Sequence, residues 1–394
     1  MKIVAAGGGS AGHVTPALAV LRELKELDPK LSAYFITDRK FGHQTTELVD
    51  NSKLSIQVKI IVAGKLRRYH KLALLKQLLD VPTVLRNLSD MILVLVGFLQ
   101  SLFFLIRIQP DVVFCKGGFV CLPIGLAAAC LRIPLVVHDS DAHAGLTNRI
   151  ISRFAAVIAT GAPLENYSYP TEKTHFVGIP VDSSFKPVSI AGQRKYKDRL
   201  GLHDITRPLV VITGGSLGAR NINQAITAIA PHLLGSCALL HITGSSNFEA
   251  TVSAAPEHID YLLKPFVSDG TAKIFGAADV VVTRAGMSTL YELAAMAKPV
   301  IIIPNPLLTG GHQLKNAAVY QKAHAAIVLD ENEIVCDPSV LERAIMILIK
   351  DPRKRQFLGN NLHKFAKADA ATDMAALIVE AMATHGGASE HGVD

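Results

Sequence analysis

Short apolar runs alternate with longer amphipathic ones from the first residues onward. Ile3–Ala6, Ser32–Thr37, Ser55–Val62, Asp111–Cys115, Leu135–His138 and Val157–Ala159 are short apolar stretches, several of them bounded by Gly, Pro or Asp, which predicts strands. Between them, Pro16–Leu27 and Pro123–Leu131 read as helices, each with proline in its first turn. Short apolar strands separated by helices predict a parallel sheet covered on both faces, with right-handed crossovers. After Val177-Gly178-Ile179-Pro180 and an apolar-poor linker, Ser183–Gly192, the pattern repeats. Strands are expected at Pro208–Thr213, Leu239–Thr243, Tyr261–Lys264, Val280–Thr283, Val300–Ile303 and Ala326–Leu329. Helices are expected over Ser288–Ala297, Pro338–Ile349, Pro352–Phe365 and Thr372–Met382.

Each half therefore opens with strand, glycine turn and helix. The fold class this predicts is α/β, with two Rossmann-like domains facing across a cleft. The expected division is an N-terminal domain over 1–179, a C-terminal domain over 180–370, a helix over 371–383 crossing back to the first domain, and a disordered tail over 384–394. The 394 residues exceed one ordinary core, and 49% hydrophobic content excludes a disordered chain. The five cysteines have no CxxC or metal spacing and read as reduced thiols of a cytosolic protein. The start shows no signal peptide. The absence of tryptophan argues against a module built on stacked indoles.

The net charge of +7 matters less than its distribution. Lys59, Lys65, Arg67, Arg68, Lys71 and Lys76, with His70 and no acid, alternate with leucines. That pattern fits a basic amphipathic surface facing anionic lipid; a solvated loop and helix face is the alternative. Nucleic acid fits poorly, because no recognition motif accompanies the charge. The uncharged run Met91–Ile106 is compatible with a helix buried against the sheet, a helix on the bilayer surface, or a spanning helix.

Candidate chemistry sits on the glycine turns. Gly7-x-Gly9-x-x-Gly12 matches the dinucleotide fingerprint, and Asp38 follows the second strand where a ribose-binding acid would stand. His13, at the start of the next helix, has no standard use in a nicotinamide enzyme. The second turn, Gly214 to Arg220, lacks the GK[ST] of a Walker motif, so a kinase or ATPase is disfavoured. Two glycine turns on two domains suit a diphosphate-linked donor and a phosphorylated acceptor. Glu292, one turn into the helix after Gly286, suits two ribose hydroxyls, with a solvated helix residue as the alternative. The polar loop from Pro304 to Asn316 follows a strand, where ligands of open α/β sheets bind.

The stretches GGGSAGHVTPALAV, CKGGFVCLPIG, HDSDAHAGLTNR, VGIPVD, GGSLGARNINQAI, TRAGMSTLYELAAMAKP and GGHQLKNA together resemble the MurG family of peptidoglycan glycosyltransferases over residues 3–380. The resemblance implies the GT-B fold and an inverting transfer without metal or other cofactor. N-acetylglucosamine would move from UDP-N-acetylglucosamine to lipid I, the undecaprenyl-diphosphate-linked acceptor, giving lipid II. It also implies a peripheral protein on the cytoplasmic face of the cell membrane, with other cell-wall synthesis proteins as partners. By position, His13 resembles the candidate general base or an acceptor-organising residue, and Gly9, Ser10, Gly12, Gly117 and Gly118 the acceptor-diphosphate site. Asp141 resembles a residue touching the donor sugar. Gly215, Ser216, Gly218 and Thr289 would surround the donor phosphates, Val267 the uracil, Glu292 the ribose, and Gln313 with Asn316 the sugar. Ser140 and Asp141 replace glutamine and asparagine, Ile179 and Asp182 replace asparagine and arginine, and His312 replaces a glutamine with Gly311 in place of an arginine. The segment from Lys76 to Asp111 is longer than usual. Losing an arginine at 182 is expected to weaken anion binding. These departures bear on the donor sugar and acceptor more than on the reaction class. A related GT-B transferase with another sugar or lipid, a UDP-sugar 2-epimerase and a non-catalytic lipid-associated scaffold are the rival readings.

Overall fold

The computed structural model describes residues 1–65, 81–141, 144–215, 218–306 and 311–389, excepting the side chains of 81–86 and 385–389. Arg67, Arg68, His70, Lys71 and Lys76 of the basic segment, and Ser216, lie outside the described residues. The chain divides into two compact units, Met1–Asp182 with Lys367–Asp394, and Ser183–Ala366.

The first unit is built on β1 (Lys2–Gly7), β2 (Ser32–Asp38), β3 (Ile56–Ile61), β4 (Val112–Gly117), β5 (Leu135–Asp139), β6 (Val157–Thr160) and β7 (Thr174–Phe176). They form one parallel sheet in the order β3-β2-β1-β4-β5-β6-β7. The strand order reverses between β1 and β4, so the loops leaving these neighbours diverge and open a crevice at their carboxyl ends. The second unit has β8 (Leu209–Thr213), β9 (Ala238–Ile242), β10 (Tyr261–Lys264), β11 (Val280–Thr283), β12 (Val300–Ile302) and β13 (Ile327–Val328), in the order β10-β9-β8-β11-β12-β13. Its switch point lies between β8 and β11. Alternate strand residues feed separate cores on the two faces: Val211, Leu240, Val281 and Ile302 on one, Val210, Leu239, Val282 and Ile301 on the other.

Several elements differ from expectation. The first helix starts at Ala11, not Pro16, and Pro16 lies inside it. Only the N–H that would bond the Gly12 carbonyl is lost, one turn from the end, so the helix tolerates the ring. The helix expected over Ser288–Ala297 runs from Met287 to Ala295 and is entered from Gly286. Strand β7 was not foreseen because it is a three-residue edge strand with two exposed positions. The helix Gly42–Asn51 buries only Gly42, Thr45, Leu48 and Val49, too few apolar side chains to stand out as a period. The last helix runs from Ala370 to Ser389, so residues 384–389 continue it, and 390–394 lie outside the described residues. Alanine-rich turns favour that continuation. This helix belongs to the first unit and packs on the helix Ala11–Leu27.

The apolar run Met91–Ile106 lies in a helix, Val81–Ile108. Ser101, Leu105 and Ile108 on one face are buried, whereas Met91, Ile92, Leu95, Leu99, Phe103 and Ile106 are exposed. A helix buried on all sides is therefore excluded. Its seat is backbone-close: a Cβ on Gly97 would lie 2.1 Å from the Val62 carbonyl oxygen, and Val62 N–H donates to Gln100 Oε1 at 2.8 Å. Gly97→Val is expected to destabilise the first unit by about 1–3 kcal/mol, because the obstructing atom is backbone and cannot swing aside. A thermal unfolding midpoint equal to wild type would show that the helix is not held at this distance.

Candidate active site

The carboxyl ends of β1 and β4 carry the first cluster. After β1 the chain turns through Gly8 and Gly9 and enters the helix at Ser10, which has extended backbone. The turn is pinned by Asp38 at the end of β2: its Oδ2 accepts from Gly9 N–H at 3.0 Å, and its Oδ1 from Lys40 N–H at 3.0 Å. A carboxylate bound by the loop itself is not placed to receive a ribose, which removes the structural basis of the dinucleotide reading. After β4, Gly117 and Gly118 both have left-handed φ, +118° and +88°. A Cβ on Gly118 would lie 2.3 Å from the Gly8 carbonyl oxygen, so only glycine lets the two turns meet. The His13 ring, in the first helical turn, covers them. Cβ atoms on Gly117 and Gly118 would lie 3.3 and 3.2 Å from it, and 3.8 Å would separate the first from Asn148 Nδ2. Gly9, Gly12, His13, Gly117, Gly118 and Asn148 thus belong to one locality, at a helix N-terminus whose dipole favours negative charge.

Next to it lies a buried ionisable group. Lys116 is fully buried at the end of β4, and its Nζ donates to Ser140 Oγ. Burial lowers its ammonium pKa to about 8, against the opposing pull of Asp139 and Asp141. Asp139 is raised to about 7, first by burial and then by the charge of Asp141. Its Oδ2 accepts from Tyr169 O–H at 2.8 Å and from Gly145 N–H at 3.3 Å. Burial, and then the charge of Lys116, hold the His138 imidazole far below its ordinary value. Neutral His138 therefore donates through Nε2 to the Gly178 carbonyl at 2.8 Å.

In the second unit, β8 runs into Gly214 and Gly215, and the helix Arg220–Leu233 follows. Gly218 has φ +71°, and a Cβ there would lie 2.4 Å from the Thr243 carbonyl oxygen. Below the turn runs a chain of polar groups. Burial lowers the His241 pKa to about 3, so the ring is neutral. Asn223 Nδ2 donates to the Thr243 carbonyl at 2.9 Å, which directs Asn223 Oδ1 at His241 Nε2, 3.0 Å away. His241 Nδ1 then accepts from Tyr261 O–H at 2.9 Å. On neighbouring β11 the chain leaves through Arg284 and Gly286 into the helix bearing Thr289 and Glu292, both partly buried. Asn316, 2% exposed, donates to the Ala285 carbonyl at 3.3 Å, and its Oδ1 has no partner among the described residues. Gln313 Oε1 accepts from Asn305 N–H at 2.9 Å. Both amides therefore brace loops at the strand ends.

Sequence comparisons join the two units. Residues 3–160 match the glycosyltransferase family 28 N-terminal domain, and residues 209–374 match the family 28 C-terminal domain. A relative from Listeria monocytogenes serotype 4b (strain CLIP80459) is 34% identical over 97% of this chain and 99% of its own. It is named UDP-N-acetylglucosamine--N-acetylmuramyl-(pentapeptide) pyrophosphoryl-undecaprenol N-acetylglucosamine transferase. The chain belongs to glycosyltransferase family 28. It is a glycosyltransferase of the GT-B fold. Among solved structures, MurG of Acinetobacter baumannii superimposes with a TM-score of 0.64 at 24% identity, covering 96% of this chain and 99% of that one. A UDP-GlcNAc 2-epimerase from Neisseria meningitidis bound to UDP-GlcNAc reaches 0.66 at 11% identity, covering 96% and 100%. At these identities the structures speak for the fold alone.

Of the positions that the family 28 resemblance implies, Gly9, Gly12, His13, Gly117 and Gly118 meet at the first switch point, with Ser10 as the residue entering the helix. Gly215 and Gly218 stand at the second, Thr289 and Glu292 follow the neighbouring strand β11, and Gln313 and Asn316 lie on the helix His312–Lys322, after β12. Val267 lies apart from them, on the wall of a 440 Å³ cavity with Phe266, Tyr196 and Lys273. Asp141 precedes the undescribed residues 142–143, and its backbone carbonyl accepts from Tyr167 O–H. Asp182 is spent inside the first unit, its carboxylate 2.9 Å from Arg22 Nε. The expectation that Asp182 weakens anion binding thus finds the residue in a different role, as an anchor of the helix Ala11–Leu27. Lys116, Asn148 and the His241 chain were missed; the one signal for Lys116 and His241 is a polar residue inside an otherwise apolar strand run. Because Asp139 is raised from 3.8 to about 7, the folded state holds more protons than the unfolded state between these values. Its contribution to stability is present below pH 4 and is lost as pH rises to about 7. The stability gained by Asp139→Asn over wild type, read from urea unfolding, is therefore expected to grow from pH 4 to 7 and then level off. A gap constant with pH would refute the burial of this carboxyl.

Proposed function

We propose that this transferase moves N-acetylglucosamine from UDP-N-acetylglucosamine to the muramoyl sugar of an undecaprenyl-diphosphate-linked acceptor, lipid I, forming lipid II with inversion at the anomeric carbon. The observation that carries the reading is the His13 ring seated on the Gly117–Gly118 turn at a helix N-terminus. A base and an anion site then share one end of the first sheet. The acceptor diphosphate lies along Gly9, Ser10, Gly12, Gly117 and Gly118. His13 takes the proton from the attacking hydroxyl as the bond to the anomeric carbon forms. The leaving UDP keeps the electron pair of the broken bond. Its diphosphate lies against Gly215, Ser216 and Gly218 at the start of the helix Arg220–Leu233, whose dipole stabilises the developing charge. Thr289 lies beside the phosphates. Glu292 receives the ribose hydroxyls, Val267 packs on the uracil, and Asp141, Gln313 and Asn316 hold the sugar.

The reading places the chain on the cytoplasmic face of the membrane as a peripheral protein, alongside other cell-wall synthesis proteins. The apolar stripe of the helix Val81–Ile108 supports this. Leu95, Leu99 and Phe103 are each more than half exposed, at 59%, 57% and 59%. Immersing a stripe of about six such side chains contributes on the order of 5–10 kcal/mol, enough to hold a protein at an interface. The helix also has the length and hydropathy of a span, but its opposite face is packed on the first sheet.

Purified protein incubated with lipid I and labelled UDP-N-acetylglucosamine is expected to give lipid II. Conversion of the donor without acceptor would instead identify an epimerase. His13→Ala is expected to lower kcat by about 10²–10⁴-fold and to leave the donor KM nearly unchanged; an unaltered kcat would remove His13 from the chemistry. Separately, Leu95→Glu with Leu99→Glu is expected to abolish flotation with phosphatidylglycerol vesicles. Flotation equal to wild type would place the membrane contact elsewhere.

A further inference from the structure

A cavity of about 540 Å³ opens in the first unit beside the segment Asp139–Asp141. Its described wall is formed chiefly by Arg149, Arg153, Tyr167 and Tyr169, and it contains no carboxylate. The two arginines come from one short stretch of chain, the helix Leu146–Ile151 and the turn after it, and both are exposed. Neither forms an ion pair among the described residues. Opposite them, the rings of Tyr167 and Tyr169 lie nearly parallel, 5.6 Å apart with 13° between planes. Both hydroxyls are engaged, donating to the Asp141 carbonyl and the Asp139 carboxyl. The ring faces are thereby fixed, and the two positive charges stand without a counter-ion among the described residues.

We propose that this cavity binds the peptide arm of the acceptor, with Arg149 and Arg153 holding a peptide carboxylate and the tyrosine faces packing on its backbone and aliphatic atoms. The inference rests on the acceptor assigned above, whose counterpart in the relative's name carries a pentapeptide. Guanidinium forks match carboxylate geometry, and rigid aromatic faces suit a flexible chain of mixed polarity. Position supports the assignment. Asn148 approaches Gly117 beneath the His13 ring, and Arg149 is the next residue, about 100° further round the same helix. A pentapeptide spans about 17 Å when extended, more than enough to reach from a sugar beside His13 to the next side chain of that helix. The muramoyl sugar bears its peptide on the carbon beside the attacking hydroxyl and its diphosphate across the ring. The two anionic arms therefore leave the reacting centre in different directions. The glycine turns take one, which leaves the arginine cavity for the other.

The test compares two acceptors on the full chain: lipid I, and a diphosphate-linked muramoyl lipid ending at the lactyl amide. In the double variant Arg149→Gln/Arg153→Gln, KM for lipid I is expected to rise about tenfold. KM for the peptide-free acceptor and for the donor should stay at wild-type values, and the Arg→Lys pair should recover part of the loss. An equal rise for both acceptors would assign the arginines to the diphosphate, and no rise for either would empty the cavity of any role; both outcomes overturn the proposal. Titration of the free pentapeptide into the wild-type protein and the double variant reads the cavity without turnover. Peptide binding that the variant loses, with no transfer by the wild type, would refute the acceptor reading and keep the cavity. Transfer by the wild type with no discrimination between acceptors would do the reverse.

Discussion

The approach of the Gly118 turn to the Gly8 carbonyl is the contact on which the first unit's site depends. A Cβ would sit 2.3 Å from that oxygen, so a side chain at 118 would push β1 and β4 apart at their ends. Those two strands flank the reversal of strand order, where no crossover covers the sheet. The contact closes this end just enough to lay the His13 ring on backbone rather than on side chains. Asp38 extends the same constraint by tying Gly9 N–H to the end of β2. Three neighbouring strands thus fix one histidine.

The second unit meets the corresponding problem with a different device. Gly218 also approaches backbone closely, at the Thr243 carbonyl, but what steadies that carbonyl is a buried polar chain. Asn223, His241 and Tyr261 each give or accept in a single sense, because a neutral histidine has one donor and one acceptor. Such a chain has low tolerance for reversal: turning the Asn223 amide would set its NH2 against an N–H and leave the Thr243 carbonyl without this donor. The turn is therefore located by a directional network, and packing by the cores on either face does the rest.

The alternation of apolar runs made both sheets legible, since their strands are buried on two faces and carry little else. The glycine turns were legible for a related reason: backbone that must approach backbone leaves glycine in the sequence. Legibility failed where structure rests on few or polar contacts. Strand β7 and the helix Gly42–Asn51 bury too little to show a period. The start of the first helix was misplaced because Pro16 reads as an opening residue, while one lost hydrogen bond near the end is tolerated. Asp38 was visible as a possible ribose acid, but its partners are backbone N–H groups of the glycine turn and of Lys40. Asn148 carries no pattern, and Lys116 shows only as a polar residue in an apolar run; their partners, His138 and Ser140, lie on or just after another strand.

The charged and polar groups around Asp139 make physical sense only together. Lys116 is an ammonium with no solvent, and its Nζ reaches Ser140. A glutamine at 140 would offer an amide and a longer side chain where the buried hydroxyl now fits. Asp139 and Asp141 both favour the charged lysine, and the charge of Asp141 adds to burial in disfavouring ionisation of Asp139. One cation beside two carboxylates has a lower electrostatic cost than either carboxylate pair or lysine alone in the same low-dielectric site. Replacing Asp141 alone by the family's asparagine would remove one of the two charges that favour the ammonium and one that opposes ionisation of Asp139. The segment His138–Asp141 and Lys116 therefore form one electrostatic unit, anchored by Tyr169 on the far side.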